Sequence, residues 1–97
     1  MYYSEEKLKY QTERMDHIKN IRKLTETGNF SLAVKRINEF FKLYDNDVEV
    51  LFIYGKILRK TGHPVEAERI FKQILDILKT INADKFYNST LTELFKI

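Results

Sequence analysis

The sequence predicts an all-α fold of antiparallel helix-turn-helix pairs, and three observations carry that expectation. Only Gly28, Gly55, Gly62 and Pro64 punctuate the 97 residues, so long stretches lack the residues that break helices. Apolar residues recur at spacings of three and four, as they do along one face of a helix. Finally, the chain superposes on itself at a shift of 34 residues, with Gly28 on Gly62, Leu24 on Leu58, Ala33 on Ala67, Ile37 on Phe71 and Phe40 on Ile74. Such a period implies one structural unit used more than once, rather than a string of unrelated helices.

Ser4 stands where it can cap a first helix, and Glu5 and Glu6 fall in a first turn where anions favour the positive end of the dipole. Nothing interrupts the pattern before Gly28, and Leu8, Met15, Ile18, Ile21 and Leu24 make one apolar stripe. Gly28 and Asn29 suit a helix end closed by a left-handed residue. A second helix is expected over 31–44, with Ala33, Ile37, Phe40, Phe41 and Tyr44 facing inward, and Asp45, Asn46 and Asp47 then make a loop with capping side chains. The third helix spans 48–61 and is apolar on almost every side, the pattern of a helix with neighbours all round. Gly62 and His63 turn the chain, and Pro64 sits in the first helical turn, where its missing N–H is tolerated. A fourth helix then runs to Ile81, buried through Ala67, Ile70, Phe71, Ile74 and Leu78. A fifth, over 84–95, carries Phe86, Tyr87, Leu91, Leu94 and Phe95.

Leu51, Tyr54, Gly55, Leu58, Gly62, Ala67 and Phe71 make a pattern that resembles the tetratricopeptide repeat, a 34-residue helix-turn-helix unit. His17, Asn20, Ile21, Leu24, Gly28, Ala33 and Ile37 occupy the same positions in an earlier, more divergent copy, and the closing proline is replaced by Asp45 and Lys79. The resemblance covers residues 14–81 as two repeats, with 82–97 similar to the first helix of a third. It implies a short right-handed solenoid of stacked pairs forming a single domain over 1–97: an extended first helix and repeat over 4–47, a second repeat over 48–81 and a terminal helix or partial repeat over 82–97. Gly55 and Ala67 then read as packing residues that let paired helices approach to about 8–10 Å.

Composition narrows the function classes. The absence of cysteine leaves no disulfide framework and no thiolate metal site. The opening MYYSEEKLKY has no long apolar run, so neither a signal peptide nor a membrane span is read there, and the cytoplasm is the expected compartment. Cations and anions, 17 and 14, are interspersed for a net charge of +3, whereas a nucleic-acid footprint is normally concentrated. Nucleic acid is therefore the least favoured partner. His17 and His63 are the only imidazoles, the three glycines are too dispersed to cradle phosphate, and Glu66 and Glu68 read as first-turn charges. Asn88-Ser89-Thr90 has glycosylation-acceptor spacing without a secretory signal. The expectation is a protein that is not an enzyme and needs no cofactor or metal.

The resemblance implies function on a concave surface lined by the first helix of each repeat. Glu49, Phe52, Lys56, Arg59 and Lys60 would line it in the second repeat, with Ile18 and Arg22 from the stripe of Met15, Ile18, Arg22, Thr25 and Glu26 in the first. Ile18 and Phe52 would floor a groove walled by Arg22, Lys56, Arg59 and Lys60, suited to a peptide or protein segment of acidic character. An alternative is an assembly element, either a homodimer or part of a longer repeat protein. Two and a half repeats fall short of the roughly three that stacking usually needs, and Leu91, Leu94 and Phe95 give the end LTELFKI an apolar edge for self-association.

Overall fold

In the computed structural model the residues described are 5–81 and 90–93. Four helices hold most of them: α1 (Glu5–Glu26), α2 (Phe30–Leu43), α3 (Val48–Lys60) and α4 (Pro64–Ile81). No strand occurs among the described residues. The helices pack pairwise, α1 against α2 and α3 against α4, and the chain divides into two compact units, Met1–Asp45 and Asn46–Ile97. No helix among the described residues is long and apolar enough to cross a membrane.

In the first unit the core comes from Ile18 and Ile21 of α1 and from Ala33, Ile37 and Phe40 of α2, each at most 5% exposed. Buried Tyr44 follows α2, its ring tilted on that of Phe40 at 4.7 Å between centroids. His17 meets both rings edge-on at 6.1 Å. Met15, expected on the buried stripe, is instead 53% exposed. The reason is angular: at about 100° per residue Met15 stands well round α1 from the face that Ile18 and Ile21 share, whereas Arg14, one residue earlier, lies on that face and is half-buried. Ser4 and the side chain of Leu8 lie outside the described residues.

In the second unit Asn46 takes a left-handed turn (φ 56°), and Asp47 caps α3 by accepting the Val50 N–H at 3.2 Å. Gln73 Nε2 donates to the Asn46 side-chain oxygen at 3.1 Å, tying the turn to α4. Ala67, Ile70, Phe71, Ile74 and Leu78 of α4 are buried, the i, i+3, i+4, i+7 pattern of a one-sided helix. Gly55 and Ala67, the small residues expected at the crossing, are both buried, and a Cβ built on Gly55 would lie 2.8 Å from Cε1 and Cζ of Phe71, so the phenyl ring, one turn beyond Ala67 along α4, fills the notch. Residues 90–93 are helical, with Thr90 and Glu93 buried and Leu91 half-buried.

The turns that join each pair are built alike. After α1, Asn29 N–H donates to the Leu24 carbonyl at 2.9 Å and Gly28 N–H to Thr25 at 3.2 Å. After α3, His63 N–H donates to Leu58 at 2.8 Å and Gly62 N–H to Arg59 at 3.3 Å. These are paired six-to-one and five-to-two bonds, with the glycine left-handed at φ 79° and 84°. Thr27 and Thr61 each return a hydroxyl hydrogen bond to carbonyls three and four residues back, and the Asn29 and His63 carbonyls accept the N–H of Ala33 and Ala67. Every one of these partners has its counterpart 34 residues away.

Candidate functional site

Taking 3.6 residues per turn, Glu49, Phe52, Lys56, Arg59 and Lys60 fall within roughly a 100° sector of α3. The buried residues of the helix, Val50, Leu51, Ile53, Gly55, Ile57 and Leu58, occupy the rest of its circumference. All five stripe residues keep some exposure because they lie opposite that core face.

At the centre of the stripe the side chains form a graded stack. Phe71 of α4 is fully buried against Gly55. Half-buried Phe52 meets it edge-to-face, with centroids 5.8 Å apart and planes at 70°. Lys56, one turn on, holds its ammonium 5.6 Å from the Phe52 centroid. Such a contact contributes about 0.5–1 kcal/mol at an exposed site. More relevant to function, it places a cation beside an aromatic surface that is itself packed on the buried core. Lys60 is exposed at the end of the helix, and Glu49 is half-buried at its start.

Arg59 has a different role from the one expected of it. Its guanidinium pairs with the carboxylate of Glu93, and Nη1 also donates to the Glu93 main-chain carbonyl at 3.1 Å. The two side chains are only 21% and 9% exposed, so Arg59 is an internal tie to the C-terminal helical segment and not a solvent-facing wall. Ile18, expected on the groove floor, is 5% exposed and sits with Ile21 on the core face of α1, leaving almost no surface for a ligand. Arg22 is exposed on α1 in the first unit, and Thr25 is half-buried with its hydroxyl on the Ile21 carbonyl at 2.7 Å. The structure thus gathers Glu49, Phe52, Lys56 and Lys60 on one face. Of the self-association residues, Leu91 is half-buried, and Leu94 and Phe95 lie outside the described residues.

Two elements escaped the sequence reading. Thr27 and Thr61 stand one residue before the paired glycines and carry the same spacing signal. Glu93 lies 34 residues after Arg59, but a repeat length marks equivalent positions and not contacts, so no sequence signal pointed to the pair. Among the described residues no three or more His, Asp or Glu side chains are grouped to hold a metal ion. No family model matches the chain, and neither the curated proteins nor the solved structures compared with it include a match.

Proposed function

We propose that the chain is a non-catalytic protein-interaction module of the tetratricopeptide type, a short right-handed stack of helix pairs working in the cytoplasm, whose α3 face takes an acidic segment of a partner protein. The duplicated turns support the repeat reading, since sequence period and hydrogen-bond period coincide at both joints. The observation that carries the binding reading is Lys56 held over Phe52, itself braced on buried Phe71. An aromatic surface backed by a rigid core supplies an apolar anchor. The ammonium beside it, with Lys60 one turn on, selects for carboxylates and speeds their encounter.

The double variant Lys56→Glu/Lys60→Glu tests this, titrated beside the parent with a fluorescein-labelled octapeptide of alternating Glu and Leu at two ionic strengths. Binding should weaken at least about tenfold at low salt, with the gap narrowing at high salt as screening shortens to about 8 Å or less. Anions near a helix C-terminus cost about 0.3–1 kcal/mol each, so melting curves accompany the titration. Equal affinities would move the binding surface away from α3.

A further inference from the structure

We propose that residues 90–93 are a built-in occupant of the basic end of the α3 face, holding Arg59 with the groups an acidic partner would bring. This rests on the reading of that face as an acceptor of acidic segments, and adds regulation from within the chain. A single residue, Glu93, gives Arg59 both a carboxylate and a main-chain carbonyl. That combination is what an acidic peptide presents to a guanidinium, and charge-assisted bonds of this kind are the strong ones. Thr90, one turn earlier on the same side of the segment, has no exposure, so the contact is a seated one and not a passing surface pair.

Arg59 lies three residues beyond Lys56 and seven beyond Phe52, on the same side of α3. Occupant and outside ligand therefore claim one surface. Lys60 is exposed and Lys56 is partly so, and these two meet an incoming acidic segment first. Arg59 becomes available only when Glu93 lets go. The apparent affinity of the chain is then its intrinsic affinity reduced by the fraction of molecules in which Arg59 is released.

The test compares the full chain with Glu93→Gln, which keeps the shape of the side chain and removes its charge. Two fluorescein-labelled probes are titrated: a peptide copying residues 88–97 of this chain, and the Glu-Leu octapeptide. Both should bind the variant at least about fivefold more tightly than the parent, in the range of ordinary coupling energies. Hydrogen exchange at the amides of 90–93 should be faster in the variant. If the parent binds the octapeptide and the variant binds it no better, the built-in occupant is overturned, while the acidic reading of α3 survives and Glu93 is a structural tie. If neither chain binds either peptide, both proposals fail together. Glu93→Asp, which keeps the charge but shortens its reach, covers the case in which the glutamine variant does not fold. Its octapeptide affinity should exceed the parent's, and an affinity equal to the parent's overturns the proposal.

Discussion

Gly55 shows how far a single side chain is constrained here. Replacing it with Ala gains helix propensity, about 0.5–1 kcal/mol, but sets a methyl group 2.8 Å from two ring atoms of Phe71. That ring is fully buried and bordered by Phe52, so it has little freedom to retreat. Overpacking of about 1–3 kcal/mol should prevail, and the melting temperature of Gly55→Ala should fall by several degrees. Adding Phe71→Leu removes the offending ring atoms, so the double variant should lose less than the sum of the two single losses, the signature of contacting residues. A higher melting temperature for Gly55→Ala would contradict the close approach. The sequence showed that Gly55 is small for packing and not which residue it packs against. Spacing along a helix identifies the face, whereas which side chain of α4 comes nearest to Gly55 depends on how far one helix slides along the other. Met15 fails for a different reason, since a spacing of three from Ile18 still leaves it roughly 90° round α1 from the middle of the face that Ile18 and Ile21 bury.

For the helices as elements, the joints make the sharper prediction. Gly28 and Gly62 both have positive φ and nothing within 4 Å of an added Cβ, so substitution there meets backbone strain alone. Gly28→Ala and Gly62→Ala should each cost about 1–2 kcal/mol, read as lower urea midpoints, and Asn at either position should cost less because it tolerates the left-handed region. Unequal losses would mean that the two caps are not equivalent. Helix ends were legible because their chemistry is local: Asp47 caps, Pro64 begins, Gly28 and Gly62 end. The binding stripe was legible only as a set of positions. The fate of Arg59 depended on a segment whose sequence was read through its apolar residues, Leu91, Leu94 and Phe95, while the described side chains buried there are Thr90 and Glu93.

Across the whole chain, helices of 22, 14, 13 and 18 residues occupy well over half of the 97. Far-UV circular dichroism should therefore show the double minimum of α-helix, and a dominant sheet signal would contradict the fold. Pairwise packing was visible in advance because a period survives divergence of the individual residues: Ile21 stands where Gly55 does and Ile37 where Phe71 does, yet all four positions are buried. The two matching joints also bear on how such a chain can change its length. Thr27-Gly28-Asn29 and Thr61-Gly62-His63 exit one helix and enter the next through equivalent hydrogen bonds. A genetic crossover that removed residues 29–62 would leave Gly28 followed by His63, with the left-handed glycine and its preceding threonine intact. Recombination at these points can thus add or subtract two helices, the second of one pair and the first of the next, in steps of 34 residues without inventing a new turn.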